Sequence, residues 1–242
     1  MSPVWTTDGS RIIWMSTRGG GNPNLYWQEG NGTGTAERLT TGTGPQFPTS
    51  VAPGGTHLVL FGPGPPGTAL LTMPLGGADH KAVPLLTSTS IMYGGEISPD
   101  GRWLAYHSNE SGQFQVFVRP YPGVDSGRWQ ISTNDGSRAA WARTGRELFY
   151  LDERGMLTSV EFRFEGGAFS ASAPRKILNT AYYLGASLLN LDLGAYDVSP
   201  DSQRFLMIKE APSAPQTSAE SQPTMVVVVN WFEELKAMLP AK

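Results

Sequence analysis

Apolar and polar positions along this chain fall into one unit that recurs five times. A short apolar stretch leads into a tight turn, and a second apolar run rich in β-branched and aromatic residues follows it, as in Trp103-Leu-Ala-Tyr106. The five copies occupy residues 3–16, 48–61, 95–108, 139–152 and 195–208. Aligning Gly9, Gly55, Gly101, Gly145 and Ser202 gives spacings of 46, 46, 44 and 57 residues. The third turn reads Ser98-Pro-Asp-Gly101. Pro presets φ, Asp bonds its own backbone, and Gly accepts a positive φ. Each unit therefore opens with a β-hairpin. Third strands are predicted at 24–27, 69–73, 115–118, 157–161 and 224–228, and fourth strands at 36–39, 82–86, 128–131 and 175–178. Four antiparallel strands repeating about every 45 residues are the signature of a β-propeller. The expected fold is all-β: a single propeller domain with blades near 3–40, 46–86, 93–132, 138–178 and 194–230, the last incomplete.

The fifth unit is irregular. Residues 181–194, rich in Tyr, Leu and Asn, stretch its spacing, and a Pro/Ser/Ala stretch at 210–223 reads as a disordered loop. Asn230 can cap a short helix over 231–239, with Glu233 and Glu234 in its first turn and Trp231, Leu235, Met238 and Leu239 on one side. That stripe is expected to pack on the propeller.

Several runs resemble a known family. Ile97-Ser-Pro-Asp-Gly-Arg-Trp-Leu-Ala-Tyr106 followed by Ser108-Asn-Glu-Ser-Gly112 is close to the repeat of TolB-like, WD-type propellers. Residues 116–123, 196–200, 204–209 and 229–236 resemble the C-terminal sensor region of large acidobacterial serine/threonine kinases. The resemblance implies a sensing role and a parent that is a membrane-anchored bacterial kinase. The kinase catalytic motifs are absent from this chain: it has no Gly-rich loop with a following Lys and no His-Arg-Asp. Four of the five turns depart from Ser-Pro-Asp-Gly, as turns that need only a backbone shape can.

Composition narrows the chemistry. Gly (29) and Pro (19) make up about a fifth of the 242 residues, which suits a turn-rich all-β chain. A net charge of -3 gives no reason to expect nucleic acid. With no cysteine there is no disulfide, thiolate metal site or Cys nucleophile. No apolar run approaches the roughly 18 residues that span a bilayer. The first residues lack the basic and apolar regions of a signal peptide. The chain opens directly in a first strand, as a piece of a longer parent would.

No local catalytic motif is present: no Gly-x-Ser-x-Gly, no His-Glu-x-x-His and no phosphate-binding Gly loop. A site must therefore be assembled from different blades at one channel mouth. Polar residues there include Gln46, Tyr93, Glu96, Arg138, Asn190, Asp192 and Asp197 before first strands, and His107 after a second strand. Tyr93, Arg138, Asn190 and Gln46 are the candidate ligand contacts. Glu96 and His107 stand on adjacent strands of one hairpin. With Asp192 or Asp197 they could hold a divalent cation through oxygen and imidazole; without metal, His107 would be a general base oriented by Glu96. A hydrated channel carboxylate and a satisfied strand-end histidine explain the same two residues. Trp5, Trp103 and Trp141 read as core between blades, with an aromatic ligand platform as the alternative.

Two readings stand. The first is a sensor-like module binding a peptide or small molecule at the channel mouth, with no cofactor required. The second is a lactonase, esterase or phosphotriesterase using a divalent cation such as calcium, or the His107–Glu96 pair. The strand at 225–229 would leave an apolar edge, and edges of that kind pair readily. A homodimer through incomplete last blades is therefore expected.

Overall fold

The computed structural model describes residues 3–65, 67–77, 79–165, 168–178 and 196–207. These residues build five antiparallel sheets in chain order, a β-propeller arrangement. The first holds Val4–Trp5 (β1), Arg11–Ser16 (β2), Asn24–Glu29 (β3) and Glu37–Arg38 (β4). The second holds Phe47–Val51 (β5), His57–Gly64 (β6), Gly67–Pro74 (β7) and Val83–Ser88 (β8). The third holds Met92–Ile97 (β9), Trp103–Ser108 (β10), Gln115–Pro120 (β11) and Trp129–Gln130 (β12), with a 3-10 turn at Val124–Ser126. The fourth holds Ser137–Trp141 (β13), Glu147–Leu151 (β14), Leu157–Glu165 (β15), Ala168–Ala171 (β16) and Arg175–Lys176 (β17). Tyr196–Val198 (β18) and Phe205–Met207 (β19) open the fifth.

The five aligned turn positions share one geometry. Gly9, Gly55, Gly101, Gly145 and Ser202 have φ of 69°, 71°, 72°, 70° and 57°. Each donates its backbone N–H to the carbonyl three residues earlier, at 2.8–2.9 Å. Where the turn carries Asp, the carboxylate accepts the N–H two residues on: Ser10 to Asp8 at 3.0 Å, Arg102 to Asp100 at 3.1 Å and Gln203 to Asp201 at 3.1 Å. In the Ala142 turn Thr144 Oγ1 takes the place of the carboxylate, accepting the Arg146 N–H at 3.4 Å, and the Ala52 turn has Gly54 at that position and keeps the shape without a side chain.

The second strands explain the core. Leu58 and Leu60 of β6 pack with Ile13 and Leu25 of the first sheet, whereas Val59 and Phe61 pack with Leu104 and Phe117 of the third. In β10, Leu104 and Tyr106 face the second sheet, and Trp103 and Ala105 face the fourth. In β14, Leu148 and Tyr150 face the third sheet, and Phe149 and Leu151 face Val198 of the fifth. Side chains alternate along a strand, so a strand buried on both faces reads as an unbroken apolar run. Leu58, Val59 and Leu60 are 0% exposed; side chains of this size contribute about 1.5–3 kcal/mol each when fully buried.

Three points differ from the sequence expectation or fall beyond it. Trp5 is 52% exposed and outside the core, while Trp103 and Trp141 are buried as expected. The indole of Trp5 lies over Gly30, where a Cβ would strike it. The fourth sheet carries an unforeseen strand, β16, which pairs only with the outer half of β15. The third strand at 224–228, the loop at 210–223, the helix at 231–239 and the edge expected to pair two chains lie outside the described residues. No helix among the described residues is long and apolar enough to cross a membrane.

Candidate functional site

First strands of successive sheets neighbour one another: β1 with β5, β5 with β9, β9 with β13, and β13 with β18. Hydrogen bonds close to the repeat distance tie them together. Ser50 Oγ donates to the Gly95 carbonyl at 2.9 Å and accepts the Ile97 N–H at 3.1 Å. Trp141 Nε1 donates to the Glu96 carbonyl at 3.0 Å. Tyr196 Oη donates to the Arg138 carbonyl at 2.8 Å. The predicted site residues on β9, β13 and β18 therefore stand on a framework cross-linked through backbone carbonyls.

Each of β5, β9 and β13 slips register against its second strand, at Pro48/Ser50, Tyr93/Glu96 and Ser137/Ala140. A bulge bends the strand and re-aims its side chains. In β9 the slip is served by Gly94, with φ 72°. The equivalent position 44 residues on is Arg138, a non-glycine residue at φ 55°. Such a conformation costs on the order of 1–3 kcal/mol and persists only where its surroundings enforce it. Tyr196 is one enforcing contact.

Tyr93 and His107 are directly paired across β9 and β10, and their rings meet edge to face at 4.4 Å. His107 is 1% exposed, and neither ring nitrogen has a hydrogen-bond partner among the described residues. A Cβ at Gly94 would collide with its ring. Burial, then the nearby Arg138 cation, pushes the imidazole down to about 3, so it is neutral at pH 7. Burial also raises the Tyr93 phenol, with Arg138 opposing and Asp135 adding.

Glu96 pairs with Ala105, on the same face of the hairpin as His107. It is half-buried. Burial pushes its carboxyl up to about 8, with Arg143 pulling down and Asp197 pushing up. The Tyr196 phenol is held well above its usual range, by burial first and Glu96 second. Glu96, Tyr196, Asp197 and Arg143 thus form one electrostatic group drawn from three sheets. The hydrogen bond by which Glu96 would orient His107 is not formed. Asp197 is exposed, and its carboxylate accepts the N–H of Val198 at 2.8 Å. Among the described residues no group of three or more His, Asp or Glu is gathered as a metal would need. Asn190 and Asp192 lie outside the described residues. Gln46 stands just before β5 with its Oε1 buried and unpartnered.

This fold recurs in solved structures. A TolB-like protein from Agrobacterium tumefaciens superposes with a TM-score of 0.57 at 16% identity, over 74% of this chain and 68% of that one. TolB from Acinetobacter baumannii gives 0.57 at 18% identity, over 75% of this chain but 45% of the other. An oligogalacturonate lyase solved with manganese gives 0.55 at 13% identity, over 86% and 61%. The chain thus spans about two thirds of the first and less than half of the second. At these identities the likeness establishes a TolB-like propeller fold. No protein-family profile and no curated protein sequence matches the chain.

Sequence reading missed Tyr196 and Trp141 as site-building residues. Tyr196 belongs to the Tyr-Asp-Val-Ser-Pro run, and Trp141 precedes the fourth turn as Ile97 precedes the third. Their spacing was visible, but the carbonyls they reach lie in other sheets.

Proposed function

We propose that this chain is a sensor-like binding module that takes a peptide or small molecule bearing a carboxylate at the inner edges of its third, fourth and fifth sheets. The observation that carries this is Arg138. It sits in a left-handed bulge on an inner strand, its carbonyl is held by Tyr196, and its charge acts on Tyr93 and His107. Non-glycine residues held in strained backbone away from a turn cluster at functional sites. His107 is neutral at pH 7 and burial pushes the Glu96 carboxyl up to about 8, so the cations beside this face are Arg138 and Arg143, and the neutral groups supply donors and acceptors. Arg143 beside Glu96 and Arg138 beside His107 oppose a second cation there, which favours binding over metal-assisted hydrolysis. The reading requires no cofactor, and the resemblance to kinase sensor regions agrees with it.

The test is equilibrium binding of a fluorescent tripeptide pool with free C-termini, beside the same pool amidated. Retention of the free acids, lost in Arg138→Gly, supports the module; Gly keeps the bulge and removes the charge. Equal binding of the amidated pool would overturn it. Chelator-sensitive turnover of an ester or phosphotriester panel would replace it with the hydrolase reading.

A further inference from the structure

The hairpins that present Tyr93 and His107 at one end build a second feature at the other. Between the β9–β10 and β13–β14 turns lies a cavity of about 720 Å³, within the range of small-molecule sites. Its far wall is the β15–β16 hairpin. β15 pairs with β14 over Leu157–Glu161, with one further bond from the Phe162 N–H to the Arg146 carbonyl at 2.8 Å, and β17 already supplies the fourth strand of that sheet. β16 therefore does not complete the sheet. It extends it, and Phe164 and Phe169 on this extension reach the third sheet.

The wall is aromatic. Trp103 meets Phe164 at 5.2 Å and Phe169 at 5.4 Å, and Phe169 stacks on Trp129 at 4.3 Å and 27°. Phe164 is 46% exposed, leaving a ring open to a partner. Stacked or edge-to-face ring pairs contribute about 0.5–1.5 kcal/mol beyond their buried area.

The rim carries charges of both signs, unevenly paired. Arg102 is matched by Asp100 at 2.7 Å, and Glu147 faces Arg175 at 3.9 Å. Arg146 and Arg163 also line the cavity, and neither forms an ion pair among the described residues. The lining as a whole is balanced, three arginines against Asp100, Glu147 and Glu161, but Arg146 and Arg163 are the two guanidinium groups that no carboxylate among the described residues holds. Guanidinium groups bind carboxylate and phosphate oxygens with paired, charge-assisted hydrogen bonds.

We propose that this cavity binds a small aromatic anion: the flat ring lies against Phe164 and Trp103, and the carboxylate or phosphate is taken by Arg146 and Arg163. The site is separate from the one at Arg138 and would hold if that one failed.

The experiment titrates the whole chain with 1-naphthoate, 1-naphthyl phosphate, the neutral 1-naphthalenemethanol and cyclohexanecarboxylate. Quenching of tryptophan emission and calorimetry are the readouts. One or both aromatic anions should saturate, and the tighter of the two tells carboxylate from phosphate recognition. The neutral aromatic alcohol and the non-aromatic anion should each bind about tenfold more weakly or worse, a loss equivalent to about 1.4 kcal/mol. Arg146→Gln, Arg163→Gln and Phe164→Ala should each weaken the preferred anion by a similar factor. All three residues are exposed, and circular dichroism with thermal melting verifies that each variant is folded. Equal affinity for the neutral alcohol, indifference to both arginine substitutions, or no saturation by either anion at millimolar concentration would overturn the proposal.

Discussion

The indole of Trp141 donates its Nε1–H to the main-chain carbonyl of Glu96 at 3.0 Å, fastening the fourth sheet to the third at the residue whose carboxyl is pushed up to about 8. Core packing and site geometry therefore share an atom group. Trp141→Phe keeps most of the buried ring and removes the donor. It should cost about 0.5–1.5 kcal/mol, the net contribution of one hydrogen bond, since the Glu96 carbonyl also faces Ala105 across the β9–β10 ladder. Urea unfolding compares the two proteins, and an unchanged midpoint would show that the bond contributes nothing.

Ser50 serves two partners at once, the Gly95 carbonyl at 2.9 Å and the Ile97 N–H at 3.1 Å. Thr49 Oγ1 also donates to the Gly95 carbonyl, at 2.7 Å, so that acceptor stays satisfied when Ser50 is truncated. The Ile97 N–H does not. Ser50→Ala should destabilise by about 1–3 kcal/mol, the range for a buried group left unpaired. Hydrogen exchange at the Ile97 amide should accelerate with it; protection retained at that amide would argue for a replacement partner.

Two glycines with the same φ of 72° separate backbone strain from collision. At Gly101 an added Cβ meets only Pro53 carbons, at 3.7 and 3.8 Å, an ordinary contact. Gly101→Ala should cost about 1–2 kcal/mol from the left-handed conformation alone. At Gly94 the same Cβ also strikes the His107 ring. Gly94→Ala should cost at least about 1 kcal/mol more, since overpacking adds on the order of 1–3. Equal losses in thermal melts would mean that the His107 ring can step aside.

Stability should depend on pH through two groups of opposite sense. Glu96 moves from 4.5 to about 8 in the folded chain. The folded state keeps a proton the unfolded chain releases, so this contribution is full below 4.5 and is lost as pH rises through 8. His107 moves from 6.5 to about 3. Here the unfolded chain takes up the proton, so stability falls as pH drops from 6.5 towards 3. Between 4.5 and 6.5 the two slopes oppose each other. From 6.5 to 8 Glu96 acts alone, with a limiting slope of about -1.4 kcal/mol per pH unit. Urea midpoints should fall across that interval in the wild type and stay level in Glu96→Gln. A wild type already level there would place the Glu96 titration lower.

Much of the fold was legible because it repeats. Gly101 in Ser-Pro-Asp-Gly announces its own left-handed turn, and Ser202 could be placed in the same role only because four glycines share its phase. The β15–β16 extension was missed for a local reason: Phe162-Arg-Phe164 reads as the tail of a third strand, and nothing nearby says that a further strand precedes Arg175. Trp5 was misassigned because a tryptophan in a first strand resembles Trp103 and Trp141 in composition, whereas its burial depends on the sheet that faces it.

The sequence by itself determined the unit: turn, paired strands, apolar runs buried on both faces, and a period near 45 residues. These follow from backbone sterics and side-chain alternation within a few residues of one another. Only the tertiary structure decided what the units do together. It put the Glu96 carboxyl and the His107 imidazole on one face without joining them, placed Arg138 in a strained bulge under Tyr196, and set Arg146 and Arg163 around an aromatic wall. Ionisation and strain there depend on burial and charge contributed by strands as many as 101 residues apart, as between Glu96 and Asp197, and the short-range pattern carries no record of those distances.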